Sequence, residues 1–487
     1  MSELIANLWT LLGGRRDVMV VLGLVLATAV TLHALMHKRD VSSAIGWIGL
    51  AWLAPMMGSL AYLVFGINRV RHRARALRPK PHGHGGPPQA GPLGIERHLG
   101  PMARGIGAIT GRPPTPGNRV RMFQNGDEAF PPMLAAIAAA RTSIGLSTYI
   151  FRDDEWGGRF VEALAAAARR GVAVRVLIDG FGGGWLLSRA YRRLRREGVP
   201  ATRFLHSLLP WRMPFINLRS HKKILVVDGI VGFTGGMNIA DENVMATRPR
   251  HPVQDTHFRL DGPVVAQLTE AFAQDWAYAT REQLTGAAWF PLFEAAGDAD
   301  ERLAPAGHAT GRVIDSGPDE DMEKIEFAIL EALATARDSV SVMTPYFLPD
   351  ERLMSALSLA AMRGVAVDLV IPERSNHFYV DGATRANVAP ILRDGVRIWR
   401  CPPPFRHSKV MVVDAEWCLI GSCNWDIRSF RLNFELCVEL YDTGLAAELE
   451  ALMRRSRGRP LTLAGLQARS LPLRLGDAGL RLLSPYL

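Results

Sequence analysis

Cysteine is scarce in this chain of 487 residues: there are four, none before Cys401, with Cys418, Cys423 and Cys437 close behind. Their spacing matches no common zinc pattern, and so few thiols in one short stretch cannot frame a disulfide scaffold. Unpaired buried thiols in a reducing compartment are the expectation. Charge is missing elsewhere. Val18 to Met36 holds no charged residue and is long enough to cross a bilayer. No small-residue cleavage site follows it, only His37-Lys38-Arg39, which argues against a signal peptide. A second uncharged run, Ala44 to Phe65, is interrupted only by Pro55 and Gly58, which membrane helices tolerate. The two runs predict a transmembrane helical hairpin within residues 1–68.

What the chain has in quantity is length and positive charge. It is too long for one ordinary core, and its net charge of +10 suits either nucleic acid or an anionic membrane surface. The position of the charge favours the membrane. Arg69, Arg71, Arg73, Arg75, Arg78 and Lys80 follow the second run, and Arg15 and Arg16 precede the first. The intervening loop holds only Lys38 and Arg39, partly offset by Asp40. This asymmetry places both termini, and all that follows the hairpin, in the cytoplasm. Residues 69–117 read as a basic linker with a Pro/Gly-rich stretch from Pro79 to Pro92, and ordered structure is expected to resume near Asn118. His82 and His84 in that stretch belong to a tether rather than to a metal site.

One pattern occurs twice. His221-Lys-Lys223 is followed by Ile224 to Val227 and Asp228; His407-Ser-Lys409 is followed by Val410 to Val413 and Asp414. Each copy continues to a small-residue pair and an asparagine at the same spacing, Asn238 and Asn424. The four apolar residues predict a buried strand, and side chains two apart share a face, so each His lies with its Lys. Asp228-Gly229 reads as a turn into the next strand. The aspartates are counted with the catalytic motif, although that position suits a turn or orienting role better than a reacting one. Two imidazoles, two ammoniums and two amides can converge on one phosphate, one His attacking phosphorus and the other protonating the leaving oxygen. A single buried His-x-Lys would be an ordinary satisfied core pair. Packing gives no reason to repeat a costly buried ammonium.

The duplication extends beyond the motif. Helix and strand alternate from Glu128 through Asp179, and again from Glu323 through Ile371. Arg170-Gly-Val-Ala-Val174 recurs as Arg363-Gly-Val-Ala-Val367, and Leu194-Arg-Arg-Glu-Gly-Val199 is echoed by Leu392-Arg-Asp-Gly-Val396. Two homologous α/β halves, residues 118–300 and 301–450, would face each other and share a cleft. Each half adds a carboxylate one strand past its motif, Asp255 and Glu435. Either could hold the second nitrogen of an imidazole or form a strand-end salt bridge. The basic tail, 451–487, could lie on a membrane as an amphipathic helix or pack against the second half.

The paired His-x-Lys-x4-Asp motifs resemble the phospholipase D superfamily, and the wider pattern is similar to its bacterial cardiolipin synthase branch. The resemblance covers nearly the whole chain, including Tyr62-Leu-Val-Phe-Gly66, Thr148-Tyr-Ile-Phe151, Thr344-Pro-Tyr-Phe347, Asp426-Ile-Arg-Ser-Phe-Arg-Leu-Asn-Phe-Glu435 and the closing Leu-Leu-Ser-Pro-Tyr-Leu487. It departs at Ser220, where synthases commonly show Asn, and in a longer linker. It implies two phospholipase D-like α/β sandwich halves behind a membrane hairpin, in a multi-pass protein of the bacterial inner membrane. The implied reaction joins two phosphatidylglycerol molecules into cardiolipin and glycerol through a phosphohistidine. His221 is then the nucleophile and His407 the acid/base. Lys223, Lys409, Asn238 and Asn424 hold the phosphoryl oxygens, and Asp255 and Glu435 orient the histidines. No cofactor or metal is implied, since lysines supply the positive charge. The partners are phosphatidylglycerol, other anionic phospholipids and the membrane, without nucleic acid; the oligomeric state is left open. A phospholipase D-type hydrolase, another phosphatidyltransferase, a nuclease and an inactive scaffold are the alternatives.

Overall fold

The computed structural model describes residues 2–38, 41–66, 94–184, 187–206, 218–291, 305–318, 323–482 and 484. The tether Pro79–Pro92, the arginine cluster around it and most of the closing Leu-Leu-Ser-Pro-Tyr-Leu lie outside them. The chain forms two compact units, Met1–Arg73 and Ala74–Leu487.

In the first unit a single helix runs Ser2–His37, and its Asp17–His37 portion is long and apolar enough to span a bilayer. The second apolar run of the expected hairpin is divided among shorter helices. Helix Val41–Leu53 is 13 residues, about 20 Å at helical rise, short of a bilayer's apolar thickness. It breaks at Ala54, where Pro55 opens a new helix, Pro55–Ala61, that continues as a π-helical turn, Tyr62–Gly66. Pro55 abuts Gly23, whereas Tyr62 meets His33 (Nδ1 to hydroxyl 2.8 Å) and stacks edge-on to Trp47. Residues 55–62 therefore run back alongside the first helix. Proline lacks the N–H that would continue the helix, and Gly58 permits the fold-back: a Cβ there would come 2.3 Å from the Leu50 carbonyl oxygen.

Among the described residues the second unit is built on a 16-stranded sheet, fifteen strands in two arms of one strand order and Arg219–Ser220 paired off this path to Asn433–Tyr441. From the centre outward, the first arm is Thr115–Gln124, Thr256–Asp261, Val231–Gly235, Ile224–Val227, Ser143–Thr148, Ala173–Asp179 and Ala201–Phe204. The second arm is Ala309–Ser316, Asn433–Tyr441, Trp417–Gly421, Val410–Val413, Ser339–Met343, Ala366–Pro372 and Arg397–Cys401, with Pro460–Leu461 at its edge. The arms join where Thr115–Gln124 pairs antiparallel with Ala309–Ser316. Strand alternation explains the layering. Ile224, Val226, Val410 and Val412 enter a central core shared by both halves, where helices Val264–Thr280 and Thr443–Arg455 pack. Leu225 and Val227, Met411 and Val413 enter separate outer cores. Each such fully buried side chain contributes roughly 1.5–3 kcal/mol.

The repeated arginines have one duty. Arg170 donates to the Ile137 carbonyl (3.1 Å) and Arg363 to that of Leu333 (2.7 Å), each binding the end of the preceding helix. All four cysteines are buried and free.

Ordered structure resumes before Asn118. A helix at Gly100–Thr110 falls inside the stretch assigned to the linker and sends Met102, Ala103 and Ile106 into the outer core of the second half. Pro101 and three glycines gave this segment a linker's composition. Tertiary contacts hold it instead: buried Arg312, paired with Glu439, donates to the Ala103 carbonyl at 3.0 Å.

Candidate active site

Residues His221–Lys223 and His407–Lys409 lie just ahead of the regular strands, in extended connections. Each connection leans on the opposite half. Arg219–Ser220 pairs with Asn433–Phe434, and the His221 N–H donates to the Phe434 carbonyl at 2.8 Å. Phe405–Arg406 pairs with Val253–Gln254, and the His407 N–H donates to the Gln254 carbonyl at 2.7 Å. The next residue along each receiving strand is the carboxylate, so each acid reaches the histidine of the other half. His221 Nδ1 is 3.1 Å from Glu435 Oε1, and His407 Nδ1 is 2.8 Å from Asp255 Oδ2.

The two imidazoles stand edge to face with centroids 6.4 Å apart. His221 is buried, at 8% exposure, and His407 is mostly enclosed, its side chain 11% exposed; burial is the main cause lowering both pKa values, His407 to about 3. A neutral imidazole whose Nδ1–H donates to a carboxylate presents Nε2 as a base, at His407 beside the Lys409 ammonium. The carboxylates stay ionised: burial opposes this, but His221 and Lys223 outweigh it at Glu435, and Lys409 and His407 do so at Asp255.

Lys223 Nζ donates to its own motif's His221 carbonyl at 2.7 Å, and Lys409 Nζ lies 2.9 Å from His407 Nε2. Burial lowers Lys223 to about 7 and Lys409 to about 8. The chain has six lysines among 57 basic residues, and two of them meet here. A compact ammonium whose proton affinity responds to burial suits a site that gains and loses an anion.

Asn238 and Asn424 are also buried. The amide oxygen of Asn238 accepts from the Ile150 N–H at 3.2 Å, whereas that of Asn424 has no hydrogen-bond partner among the described residues. One difference separates the halves. Ser422 donates to Glu435 Oε2 at 2.5 Å. The matching position is Gly236, where a Cβ would come 2.4 Å from Asp255 Oδ1.

Asp228 and Asp414 are placed away from this cluster. Four strand residues separate each from its lysine, a span of about 16 Å. Asp228 accepts the backbone N–H groups of Arg141, Thr142 and Ser143 at 2.8–3.1 Å, and Asp414 accepts those of Arg337, Asp338 and Ser339 at 2.8–3.2 Å. Both aspartates have positive φ, 54° and 52°. Each strand carries its aspartate to the end away from the lysine, where it sits in a turn.

The residues read from the motifs do not include the aromatic walls. Tyr149 stands edge-on to His221 at 5.1 Å and Tyr346 to His407 at 6.2 Å. Arg219 is buried with its guanidinium 4.2 Å from the Phe181 ring. The signal for the tyrosines was the echo of Thr148-Tyr149 in Thr344-Pro-Tyr346. Among the described residues no group of three or more His, Cys, Asp or Glu converges as a metal-ligand set.

Comparison with known proteins accords with this geometry. A family model described as "Cardiolipin synthase, PLD-like domain" matches residues 133–276 and 329–457, one segment in each half. Cardiolipin synthase A of Pseudomonas aeruginosa is 36% identical over 477 residues, 95% of this chain and 94% of that protein. Cardiolipin synthase of Geobacillus kaustophilus is 34% identical over 470 residues, 93% and 90% of the respective chains. The crystal structure of phosphatidylserine synthase from Haemophilus influenzae shares the fold, with a TM-score of 0.55 at 15% identity over 76% of this chain and 95% of that one.

Proposed function

The chain belongs to the cardiolipin synthase family of phospholipase D-like proteins, and from that premise we propose a phosphatidyl transfer between two phosphatidylglycerol molecules across the His221–His407 pair. The enzyme is a phosphatidyltransferase. His221 Nε2 attacks phosphorus of the first lipid, the bond to its headgroup glycerol breaks, and the departing oxygen takes a proton from His407. The phosphatidyl group is then carried on His221. His407 removes a proton from the glycerol hydroxyl of a second phosphatidylglycerol, whose oxygen attacks phosphorus and frees His221. The products are cardiolipin and glycerol.

The observation that carries this reading is the pairing of each imidazole with a carboxylate of the other half, with the two rings edge to face and their centroids 6.4 Å apart. Lys223, Lys409, Asn238 and Asn424 suit the non-bridging oxygens. Burial and the neighbouring ammoniums keep His407 neutral. A bound phosphodiester anion offsets those ammoniums and raises the imidazole's proton affinity, so substrate binding favours the protonated acid. The apolar helix Asp17–His37 supports a membrane location, and the arginine-rich flank beyond residue 68 supports a cytoplasmic catalytic unit.

The test is to incubate the full-length protein with phosphatidylglycerol vesicles and measure lipid products and free glycerol. Cardiolipin and glycerol in equal amounts are expected, with at least roughly 10³-fold loss in His221→Ala and in His407→Ala. Phosphatidic acid as the main product would establish a hydrolase. Undiminished turnover in both variants would remove the histidines from the chemistry.

A further inference from the structure

The C-terminal helix, Leu471–Arg481, is turned inside out relative to an ordinary surface helix. Its inward face carries Asp477, buried between Arg385 (2.9 and 3.1 Å) and Arg469 (3.2 Å), together with Leu480. At the start of the helix Leu473, on the side of Leu480, is also 54% exposed, while the outward face carries Leu471, Leu475 and Leu482, which are 65%, 63% and 74% exposed. These positions, i, i+4 and i+11, with Ala478 at i+7, make one stripe directly opposite Leu480. Arg474 and Arg481 lie along one flank of the stripe, both exposed and without a carboxylate partner among the described residues. Exposed leucines in a row lose free energy in water, so such a face marks a contact.

The helix packs along helix Phe378–Asn387, which begins with Phe378 at 76% exposure. Beneath both lies a small apolar cluster of Leu348, Val380 and Ala383 with Tyr346, Tyr379 and Leu480. Tyr346 is the residue that walls His407. The exposed face is thus one layer of side chains away from the catalytic cleft.

We propose that Leu471, Leu475, Leu482 and Phe378 form a docking surface that inserts into the headgroup region of an anionic phospholipid leaflet, seating the cleft against its substrate. The leucine stripe supplies the apolar insertion. Arg474 and Arg481 meet anionic headgroups while their stems follow the apolar side. The lipid is the occupant this charge complements, in a chain of net charge +10. The inference deepens the phosphatidyl-transfer reading, which supplies the membrane-borne substrate.

The test uses the full-length protein in vesicles of phosphatidylglycerol and phosphatidylcholine. A nitroxide is attached to Leu475→Cys and, as control, to Arg169→Cys on the exposed side of helix Glu155–Arg169; the native cysteines are buried, and labelled wild type gives the background. At 475 collisions with lipid-soluble oxygen are expected to exceed those with a water-soluble nickel chelate, and the reverse at 169. Free access of the chelate to 475 would overturn the proposal. So would exclusion of both reagents, which would mean that protein covers the stripe, or spin–spin broadening, which would mean a second copy. In kinetics, the triple variant Leu471→Ser/Leu475→Ser/Leu482→Ser should raise KM for vesicle-borne lipid roughly fivefold or more with kcat within about twofold. The triple methionine variant should restore KM. A fall in kcat alone, or no methionine rescue, would also overturn it. The label reports depth without turnover, so it distinguishes failure of docking from failure of the enzymatic reading, which would show as absence of cardiolipin from wild type.

Discussion

His407 Nδ1 lies 2.8 Å from Oδ2 of Asp255, a residue 152 positions earlier on the other half of the molecule. The reciprocal contact, His221 with Glu435, spans 214 positions. Neither half holds a complete histidine–carboxylate pair, so the catalytic unit is the two halves together.

The two carboxylates should have separable effects. Glu435→Gln and Asp255→Asn are each expected to lower kcat roughly 10²- to 10³-fold with KM within about threefold, because an unheld imidazole samples the wrong tautomer and orientation. Asp255→Asn weakens the group that protonates the leaving oxygen. A phosphatidyl ester of p-nitrophenol needs no such proton and should recover much of that variant's rate of phenol release. Glu435→Gln should not be rescued. Rescue of Glu435→Gln alone would exchange the roles assigned to His221 and His407.

The lysines predict opposite responses of activity and stability to pH. Burial lowers Lys223 to about 7 and Lys409 to about 8 from 10.5. Both ammoniums are charged below pH 7 and lost as pH rises through 7–8, so kcat/KM should fall on the alkaline side in that window. Over the same range the unfolded chain keeps protons that the folded chain has released, so the lysines' contribution to stability rises with pH. Lys223→Met should therefore melt above wild type at pH 6.5, with the gap narrowing towards pH 9.5. A gap that widens would reverse the sign of the burial effect.

Asp228 and Asp414 should prove structural. Alanine at either position removes the acceptor for three backbone N–H groups, an expected loss of about 2–3 kcal/mol. At a temperature where the variant remains folded, kcat should stay within about threefold of wild type. A loss as deep as that of the histidine variants would return the aspartates to the chemistry.

The turns after the two motif strands differ at the residue that follows the aspartate. Asp228-Gly229 and Asp414-Ala415 share left-handed backbone, with φ of 66° at Gly229 and 55° at Ala415. Ala415→Gly relieves the alanine and is expected to stabilise by about 0.5 kcal/mol after the entropy of the unfolded chain is counted. Gly229→Ala places a Cβ 2.5 Å from the Trp289 carbonyl oxygen and from Pro291 Cδ, and should cost roughly 2–3 kcal/mol. Thermal unfolding of the two variants tests both signs.

The local pattern of the polymer determined much of this protein. Four apolar residues after each His-x-Lys dictate a strand whose alternate side chains fill two cores, and the repeated words around Arg170 and Arg363 dictate two matching halves. The paired histidines, lysines and asparagines were legible for the same reason, since spacing along a strand survives folding. Other features needed long-range contacts. Which acid serves which histidine depends on short cross-half strand pairings that no local pattern encodes. Helix Gly100–Thr110 is glycine-rich and stands only because the second half's core and Arg312 receive it. The second apolar run has a span's composition, but Pro55, Gly58 and the meeting of Tyr62 with His33 turn it back. Composition sets which groups want burial; only the assembled chain decides which partners bury them.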